Sequence, residues 1–158
     1  MGYRSEVKIA IQCNNYEQHK NLKLTEKAKA MWKTFICEIA VNPDTKIAYE
    51  ELTSPDRKNC GIGEYCLYYD GEYVKWYDSY TDVQSWMALL EVAKGYKWGN
   101  TEEVFSTAFT RIGEGEDDTP DIEQEFSSEG YELLSVETSS AFHGNFLFNF
   151  NDEEKSNG

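Results

Sequence analysis

The chain has 158 residues, with 29 acidic against 15 basic side chains and a formal net charge of −14. The length fits one domain, read over residues 1–150 with a polar tail over 151–158, and 40% hydrophobic residues with 15% aromatics are too many for a disordered chain. The surplus of carboxylates would repel phosphate, which argues against direct binding to nucleic acid or an anionic membrane.

Residues 5–13 alternate. Val7, Ile9, Ile11 and Cys13 share one side and Glu6, Lys8, Ala10 and Gln12 the other, which predicts a half-buried strand. Thr25 stands where a cap belongs for a helix over 26–40, on which Ala28, Met31, Trp32, Phe35 and Ile39 form one apolar stripe. Asn42-Pro43-Asp44 signals a turn. Residues 47–52 read as a short strand and 53–63, with Pro55, Gly61 and Gly63, as a loop. Asp70-Gly71 lies between two β-rich runs, 64–69 and 72–77, and predicts a two-residue hairpin turn. That register puts Tyr65, Leu67, Val74 and Trp76 on a core face and Tyr68, Tyr73 and Tyr77 on the opposite one.

A second long helix starts near Ser79 or Thr81, where Thr81 and Gln84 have the spacing of a capping box. Val83, Trp86, Met87, Leu90 and Ala93 form its stripe, and Gly95 ends it. Residues 104–112 read as a strand. Thr119 and Pro120 open a short third helix with Ile122 and Phe126 facing inward and Gly130 as its stop. Residues 133–138 and the alternating 145–150 complete the strands. The order predicts an α+β fold: a mostly antiparallel sheet with two main helices side by side on one face and a short third helix.

Catalytic templates are missing. There is no phosphate-binding glycine loop and no nucleophile elbow, and His19 and His143 have no partner at metal-ligand spacing. Cys60 and Cys66 have five residues between them, wider than a zinc knuckle. With Arg4, Glu6 and Lys8 in place of an apolar leader run, Cys13, Cys37, Cys60 and Cys66 read as reduced cytosolic thiols. Asp117, Asp118 and Asp121 are the densest carboxylate group and the site a metal-dependent enzyme would use. A run of this kind in a loop is usually solvated, so the expectation is a protein without catalysis, metal or cofactor.

The charge is concentrated. Residues 102–137 hold twelve carboxylates and one base, Arg111, a balance of −11. Asp121, Glu125 and Glu129 stand at i, i+4 and i+8, one side of the expected third helix, and Glu114, Glu116, Asp117 and Asp118 precede it. Such a surface either keeps the protein soluble or meets a basic partner. Tyr68, Tyr73 and Tyr77 offer a second contact face, since tyrosine combines rigid area with a polar tip.

The opening Met1-Gly2-Tyr3-Arg4-Ser5-Glu6-Val7, running straight into the first strand, resembles that of small proteins from tailed bacteriophages and prophages. The likeness spans seven residues and carries no functional position. It implies a phage-encoded accessory protein in the host cytoplasm, of the kind that includes anti-CRISPR and anti-restriction inhibitors. The expected function is then a non-catalytic inhibitor that blocks a host nucleic-acid-binding complex through an acidic, nucleic-acid-like surface. The alternatives are an immunity or structural accessory protein that binds one cognate protein through the aromatic hairpin, and the metal-dependent enzyme above.

Overall fold

The computed structural model describes residues 4–13, 26–56, 59–99, 102–113, 121–127, 133–136, 140–142, 146 and 148. Its elements are β1 (Ser5–Cys13), α1 (Glu26–Val41), α2 (Lys46–Thr53), β2 (Cys60–Ile62), β3 (Cys66–Val74), α3 (Thr81–Lys94), β4 (Lys97–Trp98), β5 (Glu102–Glu103), β6 (Phe105–Gly113) and β7 (Asp121–Phe126). The small hairpin strands β8 (Leu134–Val136) and β9 (Ser140–Phe142) follow. Five strands form one antiparallel sheet in the order β2-β3-β1-β6-β7, and β4 with β5 forms a separate two-stranded ribbon. The fold is α+β.

β1 is the middle strand, and its alternation sorts two cores. Val7, Ile9, Ile11 and Cys13 meet Ala28, Trp32, Phe35 and Ile39 of α1, Ala48 and Leu52 of α2, and the α3 stripe with Trp86 and Leu90. Trp32 and Phe35 pack on Phe105 with ring centroids 5.3 and 5.2 Å away. Each such side chain, taken fully out of water, stabilises the fold by roughly 1.5–3 kcal/mol. The other side of β1 is covered too. Ala10, Cys66 and Ala108 pack with Leu133, Leu134 and Phe146, so the strand is buried on both faces rather than half-buried.

Residues 47–52 form a helix, not a strand. Ala48 and Leu52 are the buried pair and stand four apart, the helical step. Thr45 sets the first turn: its carbonyl accepts from the Tyr49 N–H at 3.0 Å and its hydroxyl donates to the Ile39 carbonyl at 2.8 Å. A third helix therefore exists, but at α2, and within the place expected for it residues Asp121–Phe126 form the strand β7. Part of the expected 53–63 loop pairs as β2. α3 runs as expected, but Tyr80 occupies the cap position with no side-chain cap bond, and the Gln84 amide donates to the Asp78 carbonyl instead.

Asp70-Gly71 is not a turn. β3 runs through it without a break and pairs with β1, Lys8 opposite Asp70 and Val7 opposite Gly71. An ion pair to a buried lysine overrides the local turn preference: the Lys8 ammonium lies 2.5 Å from Asp70 and 3.4 Å from Glu6, with a side chain only 6% exposed. The glycine is needed for close approach. A Cβ there would sit 2.6–2.9 Å from ring and hydroxyl atoms of Tyr69. The strand then carries one extra residue relative to β1, a bulge near Tyr73 at φ 56°. Of the alternating 145–150 segment only Phe146 and Phe148 are described, and the 151–158 tail lies outside the described residues.

Candidate functional site

β7 is built because β6 has an edge to fill. Ile122 and Phe126 are four apart, and four is an even number as well as a helical step, so the same two residues share one face of a strand. The open backbone of β6 decides between the two conformations. The register runs from Ala108 opposite Phe126 to Gly113 opposite Asp121. Phe126 thereby joins the second core beside Ala108, while Ile122 stays 45% exposed.

The strand sorts the carboxylates by twos. Asp121, Glu123 and Glu125 share the face on which Arg111 and Phe109 lie, roughly 6.4–6.8 Å from one to the next at the strand rise. Glu123 was not among the expected site residues; the period-two spacing of acids was the signal for it. The helical line through Asp121, Glu125 and Glu129 does not form. Glu129 lies outside the described residues, as do Glu114, Glu116, Asp117 and Asp118, which precede β7 in the chain.

Two bases fix the acidic face. The Arg111 side chain, 12% exposed, donates from Nη2 to Asp121 at 2.8 Å, from Nε to Glu123 at 3.0 Å and from Nη1 to the Ser5 hydroxyl at 3.2 Å. Lys94, at the end of α3, pairs with Glu125 and with Glu91. The carboxylates are therefore oriented by buried or half-buried bases while remaining more than half exposed themselves. Restricting them in advance lowers the ordering cost of any later contact.

The three tyrosines do not share a face. Tyr68 lies on the second core, edge-on to Phe142 at 5.7 Å and 4.5 Å from Phe148. Tyr77 is half-buried and edge-on to Tyr80 at 5.1 Å. Only Tyr73 projects, 71% exposed, with the Arg4 guanidinium 5.2 Å from its ring. It borders an open cleft of about 420 Å³ that also involves Arg4, Glu6, Glu72, Ile112 and Gly113. A bulky residue at positive φ is uncommon, and strain of this kind concentrates at functional positions.

Burial makes the Cys66 thiol a poor nucleophile. Cys13, Cys60 and Cys66 are buried and Cys37 is exposed, all four unbridged. Burial pushes the Cys66 thiol up to about 12, against which hydrogen bonds from the backbone of Tyr65 and Gly63 act only in part. Among the described residues no group of three or more metal-capable side chains comes together, and no helix is long and apolar enough to cross a membrane. The chain matches no protein-family model, no curated protein and no solved structure.

Proposed function

We propose that the chain is a non-catalytic inhibitor of the phage accessory type, acting in the host cytoplasm, which binds a nucleic-acid-binding defence complex and blocks it. The observation that carries this reading is the row Asp121, Glu123 and Glu125, alternating on one exposed strand face and braced by Arg111 and Lys94. Its step is comparable to that between successive phosphates along a nucleic-acid strand. A basic groove would meet it as it meets a phosphate backbone, and steric exclusion of the nucleic acid would follow. Glu114, Glu116, Asp117 and Asp118, joined to this strand by sequence, would extend the same negative field.

The test is displacement of labelled DNA or RNA from a complex captured from host extract by the tagged chain. Displacement should weaken as salt rises, because exposed charges are screened over roughly 8–10 Å at physiological ionic strength. Glu123→Lys with Glu125→Lys should abolish it. Displacement unaffected by both salt and charge reversal would reject the electrostatic mechanism.

Tyr73 supports a second reading, an immunity-type protein holding one cognate protein by an aromatic anchor. It is the exposed, strained tyrosine beside the open cleft. In that case Tyr73→Ala would cost about 2 kcal/mol or more in affinity, as an interface hot spot does, and charge reversal on β7 would cost less.

A further inference from the structure

Hydrogen bonding along β7 alternates, and its phase is fixed at one end. Ser127 N–H donates to the Thr107 carbonyl at 2.9 Å, and Thr107 N–H donates to the Ser127 hydroxyl at 2.8 Å. Two residues on, Phe109 faces Glu125, and two further on Arg111 faces Glu123, so those residues turn their N–H and C=O groups toward β6. Ile122, Gln124 and Phe126 therefore turn theirs outward. β7 ends the sheet order, all residues from Asp121 to Glu125 are exposed, and among the described residues no strand adds to its outer side.

An open edge invites any extended segment, and charge decides which. A second copy is disfavoured. Pairing β7 with itself antiparallel about Glu123 sets Glu123 opposite Glu123 and Asp121 opposite Glu125, and shifting the axis to Gln124 sets Glu123 opposite Glu125. Like charges directly opposite destabilise a pair, whereas opposite charges stabilise it. A segment with Lys or Arg at every second residue would set each base across from an acid while its backbone met Ile122 and Gln124.

We infer that the outer edge of β7 accepts an extended basic segment of the partner as an added sixth strand. The inference rests on the reading of the acidic face as a partner surface, and adds that the partner is met through its backbone as well as its charge. The competing account is that the carboxylates only keep the edge from pairing.

The test uses the full chain and a short, end-capped, labelled peptide that alternates lysine with threonine, titrated by fluorescence anisotropy at low salt. Binding is expected, with slowed hydrogen exchange at the Ile122, Gln124 and Phe126 amides. The same peptide, N-methylated at the amides that would face β7, keeps its charge but loses the ladder, and should bind about tenfold more weakly or worse. Gln124→Pro removes one outward N–H and leaves the β6 ladder intact, since proline is tolerated on an edge; it should weaken the unmodified peptide similarly. Equal binding of both peptides would overturn the added strand while leaving the acidic surface standing. Equal binding of the unmodified peptide to the Glu123→Lys/Glu125→Lys variant would remove the acidic surface as well. No binding at all would leave the carboxylates as edge protection and overturn the inference.

Discussion

β1 and β7 sit two places apart in one sheet and treat charge in opposite ways. β1 has a strand on each side and a core on each face, so Lys8 is buried against Asp70 and under the Phe142 ring, 5.6 Å from its centroid. There a charge must be matched at once, because burying it alone costs several kcal/mol. Among the described residues β7 has one strand beside it, and its carboxylates keep their access to water. A charge costs little there, and Arg111 and Lys94 pair with it at the surface. The number of neighbours decides whether the polar side chains of a strand are buried or left at the surface.

The largest contrast should appear on truncation. Phe105→Ala, in the first core, is expected to lose about 3–5 kcal/mol in chemical denaturation, while Ile122→Ala on the edge should stay within about 0.5 kcal/mol. Comparable losses would mean that β7 is buried by something beyond β6. Asp70→Ala leaves Lys8 with a weaker match and should cost toward the lower end of roughly 3–5 kcal/mol, because Asp70 is itself partly exposed. Lys8→Met added to it should recover much of that loss, which a double-mutant cycle reads directly.

The bulge gives the next step down. Gly71→Ala drives a methyl into the Tyr69 ring, itself wedged against Trp76 and Trp86, and should cost about 1–3 kcal/mol. Tyr73→Gly relieves the positive φ and should be neutral or stabilising by up to about 1 kcal/mol. A stable Tyr73→Gly variant that loses a partner would assign residue 73 to binding rather than to folding. On β7, Glu125→Gln should move stability by less than about 1 kcal/mol, as exposed pairs do.

Alkaline titration sharpens the contrast from the core side. The Cys66 thiol is raised from 9.0 to about 12, so the folded chain keeps a proton that the unfolded chain has lost. Its contribution is present below about pH 9 and is lost as pH rises toward 12. The Tyr96 hydroxyl acts in the same direction, raised by burial and by the Glu38 carboxylate it donates to at 2.6 Å. Melting temperature should therefore fall above pH 9, and Cys66→Ala should make that fall shallower.

Long periodic elements were legible in the sequence. The stripes of α1 and α3 and the alternation of β1 each fit one period over many residues; burial follows the two helical stripes, whereas β1 and β6 are buried on both faces. The short elements were not. Residues 47–52 read as a strand on Ile47 and Tyr49, but Ala48, Glu50, Glu51 and Leu52 are good helix formers, and the buried pair Ala48 and Leu52 suits a helix packed on α3 through the Ser85 hydroxyl. Asp70-Gly71 has the local signature of a turn, and a partner 62 residues away cancels it. Of the acidic site, Asp121 and Glu125 were legible as residues but not as a strand, since Ile122 and Phe126 fit both periods. Glu123 and the bracing bases were hidden, because Lys94 is distant in sequence and Arg111 reads as an ordinary strand residue.

The most direct measurement is the affinity of the wild-type chain and of the Glu123→Lys/Glu125→Lys variant for the captured nucleic-acid-binding complex, across a salt series. The account predicts wild-type affinity that falls steeply with salt and a variant that binds weakly at every salt concentration. Equal affinities for the two chains, flat across the series, would contradict it.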